Sequence, residues 1–305
     1  MPELPEVEVV RRGVDKWATG RKIVGVDVLL ARTVRRSPGG ANALSHALVD
    51  DEFRCASRRG KYLWLPLREK SRLAVVIHLG MSGQILMQPG TPQHERHLRA
   101  LVRFSDAGRD LRFVDQRTFG GIQLDELIDD GAGGRLPASV AHIGRDPLDP
   151  EFDPRGAARL IRSKQSEIKR ILLDQTVISG IGNIYADEAL WGMGIHGRRP
   201  ASRLSVTNLM GLIDHASEVM RKALGEGGTS FDSLYVNVNG ESGYFERSLK
   251  AYGREGEPCY RCGSSIRREA FMNRSSYFCP RCQRASPTAR HGRSPGAGHA
   301  SAAAR

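Results

Sequence analysis

Pro2 and Glu3 pose the first chemical question. Pro2 is small and follows the initiator methionine, so removal of Met1 would leave a secondary amine beside a carboxylate. A neutral amine adds to an aldehyde-like sugar carbon to give an iminium ion, and a nearby acid shuttles the protons. An α-amino group titrates near ~8 and is partly neutral around neutral pH, whereas a lysine near ~10.4 must first be perturbed. Taken alone these residues have a plainer reading, in which Met-Pro is an ordinary start and Pro5 merely begins a helix. The rest of the chain decides between the two.

The cysteines carry the clearest second signal. Cys259-x2-Cys262 and Cys279-x2-Cys282 are separated by sixteen residues, the spacing of a four-thiolate zinc ribbon. Four protein ligands fill a tetrahedral ion, so the expected cofactor is one structural Zn2+ with no open catalytic position. Arg267, Arg268, Arg274, Tyr277 and Phe278 make the intervening hairpin basic and aromatic, suited to a nucleic-acid groove.

Other stretches gain meaning only together. In Ile178–Tyr185 two glycines and Asn183 precede a new helix whose N–H groups could hold a phosphate, with Asp187 and Glu188 expected in its first turn. A plain helix hairpin is the ordinary reading of such a Gly-x-Gly. Lys61 follows Arg59-Gly60 between strands, where a surface charge is the usual fate. Met81 stands in the turn after His78, where a core methionine is common. Arg117 and Phe119 lie two apart, on one side if extended. Met81, Arg117 and Phe119 on adjacent loops could fill the gap left by an extruded base.

These residues need elements to hold them. Residues 5–17 read as a helix, with Pro5 in its first turn. Residues 21–124 read as short strands punctuated by Gly, Pro and Asp, with a short helix at 41–49. Helical spacing recurs over 154–163, 166–174, 184–192 and 205–224. The fold class is therefore α+β and multidomain: an N-terminal helix plus antiparallel β-sandwich (1–135), a linker (136–153), a helical domain (154–250) and a zinc ribbon (251–283). Residues 225–243 read as a mobile loop and 284–305 as a disordered basic tail.

Composition points to a polyanion. The net charge is +12 with a pI near 9.9, and removing the four tail arginines leaves +8 on the body. No apolar run approaches the ~20 residues that span a bilayer. The acidic N-terminus is unlike a signal peptide, and the cysteine pattern is not a secreted disulfide framework. The reading is a cytoplasmic, nucleoid-associated monomer with no membrane partner.

In this order the pieces resemble the Fpg/Nei family of DNA glycosylases and abasic-site lyases, in its formamidopyrimidine-DNA glycosylase branch. The resemblance runs from Met1 to about Gln283 on Pro2–Glu8, Gly60–Leu63, His78–Gly83, Gly180–Ala186 and the four cysteines. It implies that damaged double-stranded DNA is the partner, that the helical domain is a helix–two-turns–helix unit, and that oxidised purines are removed with β,δ-elimination. Pro2 would attack C1′ and Glu3 would handle protons. Glu6 would fix the first helix and Glu188 would sit in the helix–two-turns–helix element. Lys61, His78, Asn183, Tyr252 and Arg274 would bind phosphates around the lesion, Lys61 and Arg274 within the catalytic group. Met81, Arg117 and Phe119 would fill the void, and the 227–244 loop would cover the flipped base. Thr118 departs from the arginine many relatives carry. Two rivals remain at this point: the sister branch acting on oxidised pyrimidines, and a non-catalytic zinc-ribbon DNA-binding paralogue.

Overall fold

The structure is a computed structural model that describes residues 2–90, 94–228, 237–240 and 245–285. Most of the basic tail and most of the 227–244 loop lie outside the described residues. Helix α1 (Leu4–Ala18) opens the chain with Pro5 in its first turn, and Glu6 reaches back to accept from the Glu3 N–H at 2.8 Å. Then come β1 (Ile23–Val28), α2 (Gly40–Leu48), β2 (Ser57–Arg59), β3 (Tyr62–Pro66), β4 (Leu73–His78), β5 (Gly83–Pro89), β6 (Leu98–Phe104), β7 (Arg109–Asp115), β8 (Gly121–Asp129) and β9 (Arg135–Pro137). They form two antiparallel sheets, ordered β1-β6-β7-β5 and β2-β3-β4-β8-β9.

The pleat explains the apolar runs. Leu63, Leu65, Val75 and Ile77 point between the sheets, onto Val7, Val10 and Val14 of α1 and Ile85 and Phe113 of the facing sheet. Their alternates Trp64, Ala74 and Val76 point the other way and are covered by Leu136, Val140 and Ile143. Both faces of β3 and β4 are therefore buried, and these strands read as continuous apolar stretches rather than alternating ones. Residues 136–153 correct the sequence reading. They are not a free linker: β9 pairs with β8, Val140 and Ile143 complete a core, and Asp146 is 1% exposed.

Helices α3 (Pro154–Ser163), α4 (Ile168–Leu172), α5 (Asn183–Met193) and α6 (Val206–Gly225) build the second core. Asp153 caps α3 by accepting from the Arg155 and Gly156 N–H groups, and Ser205 caps α6 through Asn208 N–H at 3.1 Å. Hairpin β10 (Arg267–Phe271) and β11 (Arg274–Phe278) packs on α5. The two cores exchange side chains. Leu4, from α1, is fully buried among the helices of the second core, and Val238, from beyond α6, is buried in the first. Met87 N–H donates to Val238 O at 2.8 Å, and Gly13 of α1 leaves room that a Cβ would take from Val238.

Candidate active site

Glu3 joins the two halves. Its carboxylate accepts from the N–H groups of Gly182 (2.8 Å), Ile184 (3.0 Å) and Tyr185 (3.4 Å) at the start of α5, where a helix leaves its first donors unpaired. The sequence reading offered these donors to a phosphate; in the structure an internal carboxylate takes several of them. Gly180 makes the approach possible. Its φ is +86°, a Cβ there would strike Leu4, and its carbonyl accepts from Leu4 N–H at 3.1 Å.

Burial pushes the Glu3 carboxyl above its ordinary range, against the pull of the Lys61 charge and the backbone donors. Such a group keeps a proton at higher pH than a free glutamate. Burial likewise lowers Lys61, with Glu3 opposing and Arg274 adding to the fall. Lys61 is a buried cation, not a surface charge: it is 9% exposed and donates to Ile181 O at 3.1 Å. Pro2, also buried, precedes this acid directly. Glu6 lies behind it, accepting from the Tyr185 hydroxyl at 2.9 Å, and burial raises that phenol well above its ordinary range so that it stays a donor.

The zinc hairpin closes the other side. Asn183 Nδ2 donates to Ser275 O at 2.9 Å, beside Arg274 at the start of β11. Tyr252 packs on Tyr277 with ring centroids 4.9 Å apart. Asp187 and Glu188 depart from the sequence reading. They stand in the second turn of α5, face inward and hold neighbouring segments. Asp187 pairs with Lys169 at 2.6 Å and accepts from Ser276 Oγ and Tyr277 N–H; Glu188 accepts from the N–H groups of Lys250, Ala251 and Tyr252 at 2.8–2.9 Å.

His78 ends β4 beside Tyr62, and burial with the charges of Lys61, Arg36 and Arg35 lowers it to about 4. Its Nδ1 accepts from Gly80 N–H at 3.1 Å, so in the neutral ring Nε2 carries the hydrogen and can donate to an anion. The turn after β4 and the turn after β7 meet at Gly80, where a Cβ would strike the backbone of Phe119 and Gly120. Met81 (37% exposed) and Phe119 (47% exposed) project there, and the Arg117 guanidinium lies 5.2 Å from the Phe119 ring centre. Thr118 takes a left-handed φ of +55° between them.

Several supports escaped the sequence reading. Arg35 donates to Phe119 O and Gly120 O, fixing the turn after β7. Arg58 bridges Glu8 (3.1 Å) and Asp146 (2.8 Å), while Asp146 also accepts from Gly60 N–H, one residue before Lys61. Lys169 and Tyr185 occupy fully buried positions. The only available signal was an unexplained charge or aromatic inside an apolar run, as at Lys169 between Ile168 and Ile171.

The ligand atoms of Cys259, Cys262, Cys279 and Cys282 lie within 4.8 Å of one another, with Trp191 Nε1 donating to Cys259 Sγ at 3.4 Å. Four converging sulfurs, with an N–H donor to one of them, fit one tetrahedral structural zinc. No described helix is long and apolar enough to cross a membrane.

Comparison with known proteins agrees with this geometry. Residues 1–122 match the formamidopyrimidine-DNA glycosylase N-terminal domain, 143–233 the formamidopyrimidine-DNA glycosylase H2TH domain and 256–285 the zinc finger found in FPG and IleRS. The formamidopyrimidine-DNA glycosylase of Rhodococcus jostii (strain RHA1) is 59% identical over 283 residues, 93% of this chain and 96% of the relative. A Lactococcus lactis FPG mutant bound to Fapy-dG-containing DNA superposes with a TM-score of 0.81 at 30% identity, over 93% of this chain and all of that one. The Lactococcus lactis Fpg bound to abasic-site DNA gives 0.80 at 30% identity over the same shares. The chain belongs to the formamidopyrimidine-DNA glycosylase family.

Proposed function

We infer that this protein is a base-excision repair enzyme that removes oxidised purines, 8-oxoguanine and formamidopyrimidines, from duplex DNA and then cuts the abasic strand. Its relatives carry the glycosylase name, and its structural neighbours hold Fapy-dG and abasic-site DNA. The observation that carries the reading is the Pro2-Glu3 start, buried at the junction of the two cores with its carboxylate fixed at the head of α5.

The chemistry follows from those atoms. With Met1 removed, the Pro2 nitrogen attacks C1′ of an everted nucleoside, the C1′–base bond breaks and the base leaves with a proton. Glu3, whose buried carboxyl retains a proton readily, supplies one to the sugar oxygen as the ring opens to an iminium. Loss of a C2′ proton then breaks the 3′ C–O bond, a further elimination breaks the 5′ one, and water releases the sugar fragment from Pro2. Lys61, His78, Asn183, Tyr252 and Arg274 grip the flanking phosphates. Met81, Arg117 and Phe119 occupy the vacated stack, Arg117 toward the orphaned cytosine. Zinc supplies structure only, holding the hairpin that carries Arg274. For an enzyme acting on the cell's DNA we propose a cytoplasmic, nucleoid-associated location.

Borohydride reduction on an abasic duplex followed by intact-mass measurement tests this. One adduct on a chain lacking Met1 is expected. Active protein that keeps Met1 would remove Pro2 as the nucleophile, and no adduct at all would leave a DNA clamp without the covalent route. Faster release from thymine-glycol than from 8-oxoguanine duplexes would move it to the pyrimidine branch.

A further inference from the structure

A groove of about 400 Å3 lies between the end of α3, helix α4 and the tip of the zinc hairpin. Lys164, Arg170 and Arg274 line it, with apolar contributions from Ile171, Leu173 and Met272. Its one acid, Asp174, is occupied locally: its Oδ1 accepts from Thr176 N–H at 3.0 Å and Thr176 Oγ1 at 2.7 Å. Among the described residues Lys164 and Arg274 have no carboxylate within ion-pair distance, and Arg170 reaches Glu167 only at 4.0 Å. Three cations facing one groove with so little internal neutralisation repel one another, and an anion would relieve that.

The groove continues the site. Arg274 stands in its wall and is followed by Ser275, whose carbonyl holds both Asn183 and Lys169. Met272, at the hairpin tip, is 56% exposed and takes a left-handed φ of +54°, a conformation costly for a residue other than glycine. An exposed apolar group beside cations suits the alternation of sugar and phosphate along a nucleic-acid strand.

We propose that this groove is an additional DNA-backbone site, in which Lys164 and Arg170 neutralise phosphodiesters beyond the phosphates at the lesion and Met272 packs on an intervening deoxyribose. The inference rests on the DNA-repair reading above. It predicts affinity and footprint, not chemistry, because neither cation contacts the Pro2-Glu3 centre.

The test measures binding of the zinc-loaded full chain to a duplex carrying a reduced abasic analogue, across a salt series. Each lost phosphate contact lowers the slope of log affinity against log salt by about one. Lys164→Gln and Arg170→Gln are each expected to lower it by about that much, while the borohydride-trapping rate at saturating protein stays unchanged. Arg72→Gln, in the turn between β3 and β4, should leave the slope alone. On two duplexes shortened on opposite sides of the lesion, the difference between wild type and Lys164→Gln should vanish for one. Unchanged slopes, an equal fall in Arg72→Gln, or a difference that persists on both shortened duplexes would overturn the groove. Loss of trapping by the wild type would instead overturn the underlying repair reading.

Discussion

At the scale of single residues, burial rather than residue type sets the chemistry. Glu3 is an acceptor for several backbone donors and also the acid beside Pro2. Glu3→Gln keeps the shape but puts an amide N–H against those donors and removes the titrating proton. Base release should fall by about 10²-fold or more, while affinity for abasic-analogue DNA changes far less; single-turnover release and anisotropy separate the two. His78 gives a pH prediction. Burial lowers it to about 4 in the native protein, whereas the unfolded side chain takes its proton near the ordinary 6.5. Between those values the unfolded state binds more protons, so stability rises with pH and is lost on acidification through that window. The ceiling is about 3 kcal/mol, since each tenfold change in proton affinity is worth roughly 1.4 kcal/mol. Thermal melts from pH 7 to pH 4 should show a shallower acid loss for His78→Gln than for wild type; parallel curves would mean that His78 is not held neutral.

At the scale of elements, the zinc hairpin is positioned from α5 rather than by its metal alone. Asp187 ties Lys169, Ser276 and Tyr277 together, and Glu188 gathers the chain entering the ribbon. Burial lifts Asp187 to about 6 against the pull of Lys169. Cys279→Ser should release zinc and weaken DNA binding strongly, since a ribbon this small draws its folding energy from the ion. Asp187→Asn should keep zinc, measured by metal content, yet weaken DNA binding, because Lys169 is left buried without its charge partner. Retention of full affinity would show that the hairpin aligns itself. The elements were largely legible from the sequence: helix 154–163 falls where the spacing puts it, and the sandwich strands follow their apolar runs. The cysteine spacing located the metal site because each Cys-x2-Cys pair is set by local geometry. Residues 136–153 were misread because Gly and Pro signal a break in regular structure but not whether Val140 and Ile143 find a core. Asp187 and Glu188 were misplaced for a related reason. A carboxylate near a helix start signals a cap, and only tertiary packing shows that the donors are already taken by Glu3.

At the scale of the whole molecule, the site exists only where the two cores meet. Neither contains it alone, since Pro2 and Glu3 come from the first segment and the donors that hold Glu3 from α5. Leu4 is the mechanical link. It is fully buried among the helices of the second core, its N–H donates to Gly180 O, and its side chain rests where any residue larger than glycine at 180 would intrude. Leu4→Ala should cost about 2–5 kcal/mol, the usual range for a buried leucine, and should loosen the grip on Glu3. Leu44→Ala offers a control of equal burial inside the first core, on α2 and away from the junction. Both variants should melt at lower temperature. Well below those melts, Leu4→Ala alone should slow borohydride-trappable adduct formation, because near-attack geometry at Pro2 depends on where α1 begins. Matched rates for the two would mean that α1 is held by the sandwich, with the contact at Gly180 contributing stability and nothing to the chemistry.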